Sequence, residues 1–84
     1  MRYVVYLNVT YKPTIREPEG ETISRELLAR LGHSVEVRAG KCLALYLEAS
    51  SPEEAAAKAL EVAKAARLGN PNVHVVEVLK VAPA

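Results

Sequence analysis

The apolar residues of this chain change their spacing repeatedly along its length, and those changes dictate what it can fold into. In "RYVVYLNVTY", residues 2–11, Tyr3, Val5, Leu7 and Val9 alternate with Val4, Tyr6, Asn8 and Thr10. The β-branched and aromatic content suits a pleated strand. Between Glu21 and Leu31, Ile23, Leu27 and Leu31 fall four apart with Leu28 beside them, which predicts an amphipathic helix that Gly32 caps in a left-handed conformation. Alternation returns in "SVEVRAGKCLALYLEA", where Val35 and Val37, then Leu43, Leu45 and Leu47, predict a hairpin turning at Gly40. The stretch "SSPEEAAAKALEVAKAARLG" predicts a second helix, with Ser51 as N-cap, Pro52 at the first position and Glu54 three residues after the cap. Ala56, Leu60 and Ala63 are its expected packing stripe, Glu54 and Lys58 form a favourable pair, and Gly69, Asn70 and Pro71 end it. Residues 73–81, "VHVVEVLKV", form a last strand with valines on both faces.

The order β-α-β-β-α-β predicts an α+β fold, a two-layer sandwich of ferredoxin-like topology with an antiparallel sheet and both helices on one face. A chain of 84 residues makes one domain over residues 1–84. A domain of that size buries only about 60% of its unfolded surface. Cys42 is the only cysteine, so no internal disulfide supports the small core, and a lone thiol suits a reducing compartment. Oligomerisation is the expected support. A net charge of +1 gives no electrostatic grip on nucleic acid or an anionic membrane, and no apolar run is long enough to span one, so a cytoplasmic protein is expected. All ten acidic residues are Glu and Gln is absent, a composition that points to a thermophilic source.

One feature does not fit an isolated sandwich. The sheet face away from the helices should be mostly polar, yet the residues out of phase with the helix-facing set include Val4, Tyr6, Ala44, Tyr46, Val76 and Val78. In ferredoxin-like order the first and third strands are central, so Val4, Tyr6, Ala44 and Tyr46 are expected to form one patch. A scatter of exposed apolar residues is normal on any surface. A contiguous patch, at about 1.5–3 kcal/mol for each side chain buried, rivals the net stability of a small domain and reads better as an interface between copies or subunits.

The residues carry no recognisable catalytic constellation. Gly40 and Lys41 lack the upstream glycine and downstream Ser or Thr of a phosphate-binding loop and lie between strands. His33, His74 and Cys42 share no metal-ligand spacing, and no serine has a His and Asp constellation. An RNA-binding sheet would surround Tyr6 and Tyr46 with basic residues rather than Val and Ala. An acylphosphatase-type enzyme would need a glycine-rich anion loop where this chain has "YKPTIREPEG".

The whole string nevertheless resembles one family, the PurS subunit of phosphoribosylformylglycinamidine synthase. Lys12 and Pro13, Pro18 and Gly20, Leu31 and Gly32, Arg38, Gly40 and Lys41, and Asn70 and Pro71 match its short motifs in order, although "REPEG" has Glu where the family more often has Asp before that proline and Glu where it more often has Gln after it. The resemblance implies a non-catalytic accessory subunit of purine biosynthesis, a homodimer or homotetramer that bridges the synthetase subunit (PurL) and the glutaminase subunit (PurQ) and aids ammonia transfer between them. It implies no cofactor in this chain, with ATP and Mg held by the synthetase. Arg38, Gly40 and Lys41 are then the candidates for partner contact. The alternative from another class is a small oligomeric regulatory domain that binds a metabolite between subunits.

Overall fold

Strand β1 (Arg2–Tyr11) runs through the middle of the molecule. In the computed structural model, which describes residues 1–84, it pairs antiparallel with β2 (Lys41–Glu48) on one side and β3 (His74–Pro83) on the other. Its central place accords with its composition: Tyr3, Val5, Leu7 and Val9, which alternate along one face, are buried, as is Val4, and neighbouring strands flank β1 on both edges. The register sets Val5 between Leu45 and Val81, Leu7 between Leu43 and Val78, and Val4 between Tyr46 and Ala82. A β-bulge opposite Tyr6 and Leu7 leaves Leu79 unpaired in β3.

Helix α2 (Pro52–Ala65) covers one sheet face. The Ser51 hydroxyl accepts the Glu54 amide at 3.1 Å, Pro52 occupies the first turn, and Lys58 pairs with Glu54 at 3.1 Å, so the helix begins as its sequence predicts. Its packing stripe is different. Ala55, Ala59 and Ala63 are the buried positions, while Leu60 is 41% exposed. Three alanines four residues apart make a shallow strip that lets the helix approach closely, and it rests on Tyr3, Val5 and Leu7 with Leu45, Leu47, Val76, Val78 and Val81 around them.

The first helical segment is α1 (Pro18–Thr22), which continues through a wide π-type stretch (Ile23–Leu28) and a tight 3-10 turn (Ala29–Leu31) to Gly32, whose φ of 82° is the predicted left-handed cap. It starts earlier than the apolar spacing predicts because Glu17 caps it and Pro18 stands at the first helical position.

The α+β class, the antiparallel sheet and the helix placement in the chain order hold, but the sheet has three strands. Residues 33–40 form no strand and run straight into β2 without a hairpin turn. Gly40 does not take a left-handed conformation; a Cβ there would meet the Thr10 Cγ2 at 2.6 Å and the Val9 carbonyl oxygen at 2.7 Å, so glycine is needed for close approach to β1. Nor does the first helical segment lie on the sheet. None of its turns packs on a strand; it is carried at the end of the stem formed by residues 12–17 and 37–40. The molecule is therefore long and thin, 48 × 27 × 14 Å, with a radius of gyration of 15.8 Å. A compact chain of this length would have about 12 Å.

The alanine strip makes a direct prediction. Ala59→Leu inserts bulk where the helix meets the sheet and should cost about 1–3 kcal/mol, whereas Ala57→Leu on the exposed side should stay within about 0.5 kcal/mol. Urea denaturation of the two variants distinguishes these; equal effects would mean the helix sits on another face.

Candidate docking surfaces

The stem is held by side chains that bond to backbone. Glu17 is 3% exposed. Its Oε1 accepts the amides of Gly20 at 2.5 Å and Ala39 at 2.9 Å, and its Oε2 accepts Gly20 at 3.0 Å. Burial pushes this carboxyl up, but the amides of Gly20, Ala39 and Glu19, aided by the Arg38 charge, outweigh that and hold it below the usual carboxylate range. Arg38 donates to the carbonyls of Lys12 at 3.1 Å and Ile15 at 2.5 Å, and the Ser24 hydroxyl accepts the Val37 amide at 2.8 Å. Gly20 lies so close to Val37 that a Cβ would overlap its carbonyl oxygen and come 2.6 Å from the Arg38 Cα. Ser24 and Glu17 thus take up the amides of Val37 and Ala39, two donors that a β-ladder would otherwise need.

Arg38, read from sequence as a partner contact, is therefore first a clamp within its own chain, although it remains exposed. Gly40 is a packing glycine. Lys41 is exposed and lines a cleft of about 400 Å³ with Tyr11, Glu17, Glu19, Leu68 and His74. The Tyr11 and His74 rings stack at 4.7 Å, tilted by 35°. Nδ1 of His74 accepts the Asn70 amide at 2.9 Å, and the Asn70 side chain accepts the Asn72 amide at 3.0 Å, so the Asn-Pro segment forms the turn that aims this ring at the cleft. With one carboxylate already bound to amides, the cleft offers an amine, a second carboxylate and an aromatic wall, an arrangement suited to gripping a polar partner segment.

The open sheet face is only partly as expected. The register places Val4 beside Tyr46 and Tyr6 beside Ala44, so those four do form one patch, joined by Ala82. Tyr46 is 58% exposed with the Arg2 guanidinium 5.2 Å over its ring, whereas Val4 is buried. Val76 and Val78 are not on this face. They pair with Val9 and Leu7 and pack against the α2 side; with valines on both faces of the strand, alternation alone left the phase undetermined.

A further surface escaped the sequence reading. Leu27, Leu31 and Val35 are 59%, 72% and 52% exposed. Leu27 and Leu31 belong to the stripe expected of an amphipathic helix lying on the sheet and Val35 to the expected hairpin, and neither pattern signals a segment that stands clear of the sheet.

The fold is that of a small, thin α+β domain whose distinctive residues fix a stem and leave apolar faces open. The family model of PurS, phosphoribosylformylglycinamidine (FGAM) synthase, matches residues 4–82. The chain belongs to the PurS family. Solved structures agree. Thermus thermophilus PurS is 34% identical over 100% of this chain and 99% of that one, with a TM-score of 0.84. The purS subunit of phosphoribosylformylglycinamidine synthase from Thermotoga maritima is 34% identical over 93% and 90%, with a TM-score of 0.78. Methanocaldococcus jannaschii PurS, one of the subunits of formylglycinamide ribonucleotide amidotransferase, is 28% identical over 98% of each chain, with a TM-score of 0.79. Such sources accord with the glutamate-rich composition. No curated protein sequence matches this chain. No helix is long and apolar enough to cross a membrane.

The Glu17 knot fixes a pH dependence. A carboxyl whose folded pKa is depressed contributes stability that is complete above its unfolded pKa, about 4.3, and is lost as pH falls through and below that value. Glu21, held down first by its hydrogen bond from Arg16, and Glu54, held down first by that from Ser50, act in the same direction. Tm should therefore fall as pH drops below about 4.5. Glu17→Gln should lower Tm at pH 7 by several degrees and flatten the acid slope, because a single amide oxygen replaces two carboxylate oxygens while adding donors opposite amide N–H groups. Thermal unfolding followed by circular dichroism between pH 3 and 7 checks both; an unchanged acid slope would remove Glu17 from the knot.

Proposed function

We propose that this chain is the accessory subunit that joins the glutaminase (PurQ) and the ATP-dependent synthetase (PurL) of phosphoribosylformylglycinamidine synthase, so that ammonia released by the first reaches the second. The observation that supports this reading is the family match over residues 4–82, nearly the whole chain. The geometry agrees with it: Glu17, Ser24 and Arg38 hold the backbone, which makes the subunit's contribution one of shape.

The chemistry requires such a part. Ammonia is mostly protonated near neutral pH and is not a nucleophile in that form, so a passage closed to bulk water delivers it undiluted and unprotonated. In the synthetase, ATP and Mg would activate the amide oxygen of formylglycinamide ribonucleotide, and ammonia would displace it to give the formylglycinamidine product. This chain would contribute walls and alignment, with the open sheet face around Tyr6 and Tyr46 and the cleft at Lys41 as the surfaces offered to its neighbours and to further copies of itself.

Reconstitution tests the reading. Glutamine-dependent turnover by the synthetase and glutaminase should require this chain, while ammonia-dependent turnover should survive its omission. Glutamine-dependent turnover without it would reject the proposal. Lys41→Glu should weaken capture of the synthetase or glutaminase in a pull-down by about tenfold without altering the chain's own unfolding, since Lys41 is exposed and takes no part in the stem.

A further inference from the structure

We propose that His74 is a proton-sensitive latch: uncharged, it holds the turn over residues 70–73 beside the Lys41 cleft, and on taking a second proton it releases that turn. The device belongs to the isolated chain and does not rest on the bridging role.

A hydrogen bond fixes the protonation state of the ring. The Asn70 amide donates to Nδ1 at 2.9 Å. A nitrogen that accepts carries no proton, so an uncharged His74 has its hydrogen on Nε2. An imidazolium donates from both nitrogens and accepts at neither. A second proton would therefore set Nδ1–H against the Asn70 N–H, and the contact that closes the turn would become a repulsion between two donors. In ordinary surroundings an imidazole crosses between these states near pH 6.5, about the range in which cells work.

The rest of the turn hangs on Asn70. Its carbonyl accepts the amides of Val73 at 3.0 Å and His74 at 2.7 Å, and its side chain accepts the Asn72 amide at 3.0 Å. One residue thus organises the entry into β3, and no backbone carbonyl takes its own amide, which goes to the imidazole. This bond is exposed, so water takes over the freed amide when the latch opens. Opening is then a local event rather than unfolding.

The groups around the ring decide where it goes. Tyr11 on β1 stacks against it with centroids 4.7 Å apart. An aromatic face attracts a cation, which keeps the charged ring seated while the turn lets go. Across the cleft, Lys41 at the start of β2 opposes a second positive charge, whereas Glu19 in α1 and the carboxylate of Glu17 before it favour one. Leu68, on the connection from α2, lines the same cleft and carries no charge. Acid thus reshapes one wall of the cleft and leaves the stem in place.

Nuclear magnetic resonance on the full chain tests this. Two-bond proton–nitrogen spectra at about pH 8 should show His74 protonated at Nε2 and bare at Nδ1. The opposite tautomer would overturn the proposal. Corrected for intrinsic exchange, the Asn70 amide should be about tenfold less protected at about pH 5.5 than at about pH 7.5, a window above the ordinary carboxylate range. Equal protection would also overturn it. His74→Asn places a non-titrating amide oxygen where Nδ1 stands and should keep the Asn70 amide protected at both pH values, while His74→Phe keeps a ring without an acceptor and should leave it unprotected at both. A pH response that survives in His74→Asn would assign the titration to another group and reject the latch. Should His74→Phe fail to fold, the native chain and His74→Asn still decide between these outcomes.

Discussion

The carboxylate of Glu17 joins two parts of the chain that no β-ladder joins. By accepting the amides of Gly20 and Ala39 together it caps α1 and fixes the leg that returns to β2. Much that is distinctive in the outline accompanies that knot: the extended run through residues 37–40, the close approach that requires glycine at 20, and a helix that stands off its sheet. A buried carboxylate with fewer donors would be an electrostatic burden. Here the amides compensate for its burial, and the Arg38 guanidinium adds a nearby positive charge while bonding the carbonyls of the opposite leg.

Much of this was legible in the sequence. The strand at residues 2–11, the Ser51 cap, the glycine cap at 32 and the α+β order all rest on local chemistry, where a side chain's preferences act within a turn of its own position. What the sequence did not disclose depends on partners distant along the chain. Val35 and Val37 alternate as a strand would, yet the Val37 amide goes to Ser24 and that of Ala39 to Glu17, so no ladder is completed. The phase of β3 and the packing row of α2 were ambiguous for a plainer reason. Valines on both faces and alanines on several sides of a helix leave the hydrophobic pattern without a contrast.

The same composition bears on the role of the PurS family to which the chain belongs. A core assembled from four alanines, Tyr3 and a handful of valines and leucines gives a slab that extends only 14 Å along its shortest axis. Such a slab presents nearly all its residues to the outside, which suits a part that aligns larger neighbours. It leaves little interior in which a reaction could be shielded from water.

The bulge at Leu79 also decides which border of the sheet can grow. An unpaired strand is a template on which foreign backbone can zip up, and proteins blunt such borders with kinks, lysines and prolines. On β3 the kink at Leu79, the side chain of Lys80 and the missing N–H of Pro83 together spoil the template. β2 carries neither kink nor proline between Cys42 and Glu48. If the sheet is ever lengthened by another polypeptide, the added strand joins along β2, and the molecule has a polarity of growth that its near-symmetric strand order conceals.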